Sequence, residues 1–368
     1  MRLKGEQPMA TYIGLDIHSK RTHIVVQDED GTIMHQGSIP TSRKDYREFF
    51  ERFSVAPNTT VGMESGLQAF WAARLLLEMG LEPVVINAAE VRAKARRKRQ
   101  KSDSRDAFEI CDGLRRGIYD SIVYVPTRAV ERLRMVLKVR AQYVRMRVQV
   151  VNAAKAKLRK LGLSSDSLQL KTEDAWKRLI AREDMEAAQF AIQQYAKTWR
   201  HVQQVLKEIE QELADASEPL ATEIARLETV PGVGRLTAAS FVAALGEVHR
   251  FSGSGKVASY LGLVPSTYDS GERERHGHIT KNGPSWVRAV LCEAAQHARL
   301  PTHPLNPYWS RVVVRGGYRK AVIAVAHRMA RIMYQMWRQE QEFDETRLNV
   351  EHRQHVRKRV VHYQIKAA

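Results

Sequence analysis

Apolar positions fall in short runs over the first ninety residues, then shift to a three-and-four spacing for most of the remaining chain. Tyr12–Ile17 and Thr22–Gln27 are short apolar runs. The turn Asp28-Glu29-Asp30-Gly31 separates the second from a third run, Thr32–Ile39, and an acidic turn ending in glycine between β-type runs predicts a hairpin. Arg43–Phe53 reads as a helix, with Tyr46, Phe49, Phe50 and Phe53 three and four apart. Thr60–Met63 is a fourth strand, Gln68–Met79 a helix stopped by Gly80, and Pro83–Ile86 a fifth strand. Helical spacing resumes near Ala88 and includes Asp103–Arg116, which ends at Gly117. The pattern predicts a mixed α/β sheet covered by helices.

The middle of the chain is helical throughout. From Arg128 to Lys160 the stripe Leu133, Val136, Leu137, Val139, Val144, Val148, Val151 predicts one long amphipathic helix, with eleven Lys or Arg and one acid, Glu131. From Ser165 to Glu228 the balance reverses to thirteen acids and eight bases, and Ile209, Leu213, Leu220, Ile224 and Leu227 continue the stripe. Long helices of opposite charge suit an antiparallel hairpin or an oligomerisation arm; a solvated helical spacer is the plainer alternative. The last part opens with Thr229-Val-Pro-Gly-Val-Gly234 ahead of a helix at Leu236–Leu245. Gly232 and Gly234, two apart between helices, expose backbone N–H groups able to hold a phosphate, as in a helix-hairpin-helix element; a tight turn fits the same residues. Lys256–Leu263 reads as a short helix, Val264–Gly283 as a charged, glycine-punctuated loop, and Ser285–His297 and about Tyr318–Trp337 as helices. The basic tail Arg353–Lys366 is expected to order on nucleic acid. These patterns divide the chain into residues 1–125, 126–228 and 229–368.

Composition narrows the function. The 368 residues carry 59 Lys and Arg against 41 Asp and Glu, a net charge of +18, with a pI near 10.0. Such a chain seeks a polyanion, nucleic acid first. Hydrophobic content of 43% argues against wholesale disorder. Stretches without Asp, Glu, Lys or Arg reach at most 12 residues, as in Val257–Tyr268, well short of the roughly 20 that a membrane span needs. No apolar core of a signal peptide is visible in MRLKGEQPMA. Two cysteines, Cys111 and Cys292, exclude a disulfide scaffold and a cysteine zinc ribbon and fit a reducing cytoplasm.

Four acids stand out. Asp16 ends the first strand in Gly14-Leu-Asp-Ile-His18, and Glu64 ends the fourth in Gly62-Met-Glu-Ser-Gly66. If those strands are neighbours, both carboxylates reach one sheet edge. Asp103 and Asp106, three apart at a helix start, share a face. Together they offer oxygen ligands suited to two Mg²⁺ (or Mn²⁺) ions about 4 Å apart. Asp103 also fits a helix cap, Asp106 a surface acid paired with Arg105 or Arg116, and Glu64 a satisfied strand end. Before the Asp pair, Arg92, Lys94, Arg96, Arg97, Lys98, Arg99 and Lys101 place seven bases in ten residues, a run that a phosphate backbone would relieve of self-repulsion. In Pro265–Gly283, Ser270 precedes Gly271, which leaves room for a bulky substrate. Arg273, Arg275 and Lys281 can neutralise a phosphate under attack. Ser266 is a competing hydroxyl, and ordinary turn chemistry also explains Ser270-Gly271. His276-Gly-His278 lacks a third ligand type for a metal.

The ordered set GLDIH, MESG, KSDSRDA, VPGVG and YLGLVPSTYDSGERERHGHITKNG resembles the DEDD-type insertion-sequence transposases, the family that includes the Piv-type DNA invertases and the recombinases guided by a bridge RNA. The resemblance runs from about Thr11 to Trp337. It implies a RuvC-like, ribonuclease-H-like first domain, an order also suggested by three antiparallel strands followed by alternating helices and strands. A long-helix, coiled-coil-like middle and a mainly α transposase domain would follow. By family match, Asp16, Glu64, Asp103 and Asp106 bind metal, and Ser270 attacks a DNA phosphate to form a covalent serine–DNA intermediate. The implied partners are donor and target DNA, a noncoding bridge RNA, and further copies of the chain, a dimer assembling to a tetramer, with no membrane. The implied setting is the bacterial cytoplasm, on the nucleoid. Two alternatives compete: a hydrolytic RuvC-like Holliday-junction resolvase, which leaves the serine loop without a role, and an actin-like sugar kinase, which needs a second phosphate hairpin that is not seen.

Overall fold

The early alternation becomes a sheet. The computed structural model describes residues 11–53, 55–94, 103–163, 169–270 and 273–348, with the backbone alone at 184–185, 267–270 and 273–276. The chain divides into two units, Met1–Pro126 and Thr127–Ala368.

The first unit runs β1 (Tyr12–Ile17), β2 (Arg21–Gln27), β3 (Ile33–Pro40), α1 (Arg43–Arg52), β4 (Thr60–Glu64), α2 (Ala69–Glu78), β5 (Glu82–Ile86), α3 (Ala88–Lys94) and α4 (Asp103–Arg115). Sheet order is β3-β2-β1-β4-β5. The first three strands are antiparallel, and β1, β4 and β5 are parallel. Side-chain alternation decides the two faces. Ile13, Leu15, Val61 and Met63 join Tyr46 and Phe50 of α1 and Ala72 and Leu76 of α2 in one buried core. On the opposite face Gly14 and Gly62 lie side by side in register. A Cβ on Gly14 would sit 2.2 Å from the Ala107 carbonyl oxygen, and one on Gly62 would sit 2.2 Å from Leu114 Cδ1. Two bare backbone positions therefore let α4 lie directly on β1 and β4. Cys111 Sγ reaches the Tyr12 carbonyl, 3.2 Å away, at the start of β1, so the N-terminus of α4 comes to the far end of that strand.

The second unit comprises α5 (Arg128–Lys160), α6 (Glu173–Ile180), α7 (Gln189–Ser217), α8 (Ala221–Glu228), α9 (Arg235–Leu245), α10 (Ser254–Tyr260), β6 (Pro265–Ser270), β7 (Arg273–Ile279), α11 (Ser285–Ala295), α12 (Asn306–Gly316) and α13 (Tyr318–Gln339). Thr127 caps α5 by accepting from the Val130 amide. The opposite charges of α5 and α7 meet in an antiparallel hairpin: Arg132 pairs with Glu212, Arg140 with Glu210, and Arg147 with Gln203. At its far end Ala154, Leu158, Trp176, Ile192 and Trp199 form a separate core. At its base Leu133, Val136, Leu137, Ile209 and Leu213 enter the large core shared with α8, α9, α11 and α13. The stretches 126–228 and 229–368 are therefore joined through one core, because the apolar stripe of the long helices continues into it. Among the described residues, no helix is long and apolar enough to cross a membrane.

Two elements differ from the sequence expectation. The predicted loop Val264–Gly283 contains an antiparallel ribbon, β6 with β7, in which Ser270 opposes Arg273. Both of its faces are polar, so no apolar alternation announces it, although Ser, Thr, Tyr, His and Ile tolerate strand geometry. Helix α12 was not predicted at all. Pro307 within its first turn and an interrupted stripe obscure it, yet proline is well tolerated at that position.

Candidate active site

Alternation puts Asp16 on the same face as Gly14, and Glu64 on the same face as Gly62. The face that admits α4 thus ends in two carboxylates, one on each of two neighbouring parallel strands. The first turn of α4 supplies Asp103 and Asp106. His18 Nε2 lies 3.0 Å from Asp16 Oδ2 and 3.5 Å from Asp103 Oδ1, so one imidazole bridges the strand acid and the helix acid. His23, opposite Asp16 in the β1–β2 register, places Nε2 3.6 Å from the second oxygen of Asp103. Asp16 is 15% exposed and Asp103 is 51% exposed. Burial pushes the Asp16 carboxyl above the usual aspartate value; His18 pulls it back, and Asp106 and Asp103 push it up again. Removing water from an acid already among acids disfavours its charge, and that is the condition a bound cation relieves.

Among the described residues, Asp16, His18 and Asp103 have ligand atoms that all lie within 4.8 Å of one another. Glu64 and Asp106 stand outside that group, Asp106 near enough to act on Asp16 through its charge. The donor set is mainly hard carboxylate oxygen with one imidazole, which fits Mg²⁺ or Mn²⁺. Sequence reasoning quoted His18 and passed over His23. The signal was present: His18 sits at i+2 from Asp16, on the same side of the strand, and a two-stranded turn brings His23 opposite. Arg116 pairs not with Asp106 but with Asp112, 3.3 Å away.

The basic run divides at the limit of the described residues. Arg96, Arg97, Lys98, Arg99 and Lys101 lie outside them. Arg92 is exposed and turns back to the Ala88 carbonyl. Lys94 is not free for phosphate: its ammonium pairs with Glu90 at 2.6 Å and Asp120 at 3.0 Å and also donates to the Ile118 carbonyl. Within the fold, the charge of this lysine is answered by two acids.

In the second unit the PGVG turn leads into α9. Gly232 has φ +80°, and a Cβ there would meet His297 Cβ at 3.0 Å. Buried His303 donates from Nε2 to the Pro231 carbonyl and accepts at Nδ1 from the Leu305 amide, pinning the turn. Gly234 caps α9 with open space where a Cβ would stand, so a large group can approach the first amides of that helix. Ser270 ends β6 and Arg273 begins β7, with Arg275 two residues further on. Ser266 is engaged within the ribbon, donating from Oγ to the His278 carbonyl. The basic tail Arg353–Lys366 lies outside the described residues.

Comparison with known proteins agrees with this arrangement. A family model described as "Transposase IS116/IS110/IS902 family" matches residues 224–309, and the DEDD model of the IS110 group, described as "Transposase", matches residues 13–162. The chain is similar to the transposase for insertion sequence element IS1111A of Coxiella burnetii, 24% identical over 88% of each chain. It is similar to the transposase for insertion sequence element IS1328 of Yersinia enterocolitica, 26% identical over 89% of this chain and 96% of the relative. A probable family 20 transposase of Pseudomonas aeruginosa is 26% identical over 88% of this chain and 95% of its own length. The second model covers the strand ends and helix start that carry the four acids, and the first spans the PGVG turn and the ribbon. Over both segments the chain is thus similar to the IS116/IS110/IS902 family of insertion-sequence transposases.

Proposed function

We propose that this transposase cuts and rejoins donor and target DNA through two chemical groups, the acids Asp16, Glu64, Asp103 and Asp106 of a RuvC-like unit and the hydroxyl of Ser270. The observation that carries the reading is the meeting of Asp16 and Asp103 across the β1–α4 contact, with the ionised form of Asp16 disfavoured by its surroundings. A bound divalent cation would screen phosphate oxygens and favour attack at phosphorus. Asp16 and Asp103, with Glu64 and Asp106 beside them, would hold it; His18 and His23 orient the two aspartates. Ser270 Oγ forms a new bond to phosphorus as one bond from phosphorus to a deoxyribose oxygen breaks. The serine proton leaves, and the departing oxygen gains one. Arg273 and Arg275, on the strand that pairs with the one ending in Ser270, spread the charge that builds on the phosphate, whereas Lys281 lies at the other end of the ribbon. The serine ester conserves the phosphodiester energy, so rejoining needs no external energy source.

The net charge of +18 supports a second polyanion beside DNA. In this reading that polyanion is a noncoding bridge RNA, which selects donor and target by pairing. Dimers assemble to a tetramer so that several Ser270 hydroxyls act on one exchange. The test combines protein, the noncoding RNA flanking the element, matched DNA and Mg²⁺, followed by denaturation and mass analysis. A protein–DNA adduct at Ser270 is expected, absent in Ser270→Ala and reduced at least a hundredfold in Asp16→Asn. Cleaved DNA without an adduct would show hydrolysis at the acids and remove Ser270 from the mechanism.

A further inference from the structure

A cavity of about 760 Å³ opens in the second unit between the root of the β6–β7 ribbon and the starts of α12 and α13. Its size is that of a site for a single small molecule or residue of a polymer. Lys281, Arg319 and Lys320 line it, and among the described residues no carboxylate does. None of the three cations forms an ion pair with another described residue. Two aromatic rings stand beside them. Tyr318 is braced by a hydrogen bond from its hydroxyl to Gln296 Oε1, 2.9 Å, and by an edge contact with Trp309. Tyr308 is held under the Arg328 guanidinium, 4.9 Å from the ring centre. His327 completes the lining; burial, then the charge of Arg331, holds its ring below the usual histidine value. An uncharged imidazole offers one donor and one acceptor.

The position of Lys281 is fixed at some cost. It adopts a left-handed backbone, φ +57°, which a residue with a side chain rarely does. Its amide meets the Gly262 carbonyl, and Arg288 ties the same segment to the Leu261 carbonyl at 3.1 Å. A strained backbone held by its neighbours, with a cationic side chain on it, marks a position kept for contact with a ligand.

We propose that this cavity receives one unpaired nucleotide of a nucleic-acid strand, its base against Tyr318 and Tyr308 and its phosphate against Lys281, Arg319 and Lys320. Cations with interleaved aromatics are the general means of holding single strands, because every base offers a face to stack and every nucleotide a phosphate. β6 leads from the cavity to Ser270: five residues at about 3.4 Å each place the backbone of Ser270 about 17 Å along the ribbon. A nucleotide lodged at the root thereby sets the register of the strand that runs toward the ribbon tip. This assignment rests on the reading of the protein as a DNA-recombining transposase; the binding it describes does not require Ser270 to be the nucleophile.

The full chain is titrated with short oligonucleotides carrying a central 2-aminopurine, as single-stranded DNA, single-stranded RNA and fully paired duplex. Quenching of the probe in one or both single strands, and not in the duplex, is expected, and the strand that is quenched identifies the source. Tyr318→Ala should weaken single-strand binding about tenfold and restore probe emission, while Tyr318→Phe retains both. The double variant Lys281→Gln/Lys320→Gln should lower the salt slope of single-strand binding by up to about 0.7, the share of one phosphate, and it keeps the test open if Tyr318→Ala does not fold. Ser270→Ala should bind as the unaltered protein does, so a failed adduct assay leaves this result standing. Unquenched probe in both single strands, or equal losses on duplex and single strands in the variants, would overturn the assignment.

Discussion

The two units place their chemistry by different means. In the first, backbone meets backbone at Gly14, which carries no side chain where α4 crosses, while Gly62 makes room for the Leu114 and Ile110 side chains of the same helix. In the second, long side chains reach across to backbone. Arg134 on α5 donates to the Ala243 and Ala244 carbonyls at 2.6 and 2.9 Å, in the last turn of α9, and His303 holds the PGVG turn in the same manner. A contact between backbones has almost no room to adjust, whereas a long side chain can change rotamer. Carboxylates that must share a cation suit the rigid arrangement; a polar ribbon joined to a helical body suits the adaptable one.

Gly14→Ala should break the first unit more severely than any other single methyl. The added carbon would lie 2.2 Å from the Ala107 oxygen and 2.6 Å from the Cys111 nitrogen, and neither is the end of a flexible side chain. Overpacking costs about 1–3 kcal/mol even where side chains can move. A fall in Tm of several degrees is expected, together with loss of Mg²⁺-dependent strand transfer as α4 carries Asp103 away from Asp16. Gly234→Ala supplies the contrast in the second unit: its φ of −97° and open surroundings predict a change within about 0.5 kcal/mol. Equal melting of the two variants would abolish the distinction.

Arg134→Ala asks whether side-chain reach is worth as much in the second unit. Removing it leaves two carbonyls at the end of α9 without this partner, and hydrogen bonds from charged donors contribute about 1.5–3 kcal/mol. Urea unfolding should show that loss, with transposition chemistry at the acids retained in whatever fraction stays folded. A loss below 0.5 kcal/mol would mean that α5 is fixed to α9 by apolar contact alone.

How legible each unit was follows from the same contrast. Strands with one apolar face announce themselves, so β1 to β5 were readable, with Asp16 and Glu64 at the ends of neighbouring strands, as was α5. The function of Gly14 and Gly62 was not: nothing in one sequence says which glycines face a crossing helix. His18 stands at a readable i+2 spacing from Asp16, whereas His23 joins the site through a cross-strand register that appears only once the turn is fixed. The β6–β7 ribbon was hidden because its residues are polar on both faces. Lys94 looked like part of a phosphate-binding run because Asp120, its second partner, lies twenty-six residues away.

Arg140→Ala should register less than Arg134→Ala. Its partner Glu210 is 2.7 Å away, but the carboxylate is half exposed, and exposed pairs are worth about 0–1 kcal/mol. A double-mutant cycle with Glu210→Ala in urea should return a coupling in that range and shrink it at high salt. A larger, salt-insensitive coupling would assign the α5–α7 hairpin to charge pairing rather than to its apolar stripe.

The smallest effect is expected at Glu90, the counterpart in the first unit of Arg134 in the second. Here an acid grips backbone N–H groups: the Asp120 and Ser121 amides donate to its two oxygens at 3.0 and 2.7 Å. The hydrogen bond from Lys94, then those amides, hold its carboxyl down to about 2 from an ordinary 4.5. A depressed folded-state value means that the ionised form stabilises the fold at every pH above 4.5, and that this share is lost as pH falls from 4.5 to about 2. Glu90→Gln should therefore be less stable than the parent at pH 7, by an amount that shrinks through that window and vanishes near its lower end. Urea midpoints at pH 7, 4 and 2.5 measure the gap. A gap that stays constant across the three would mean that the shape of the side chain, not its charge, holds the segment from Asp120 to Ser121 against α3.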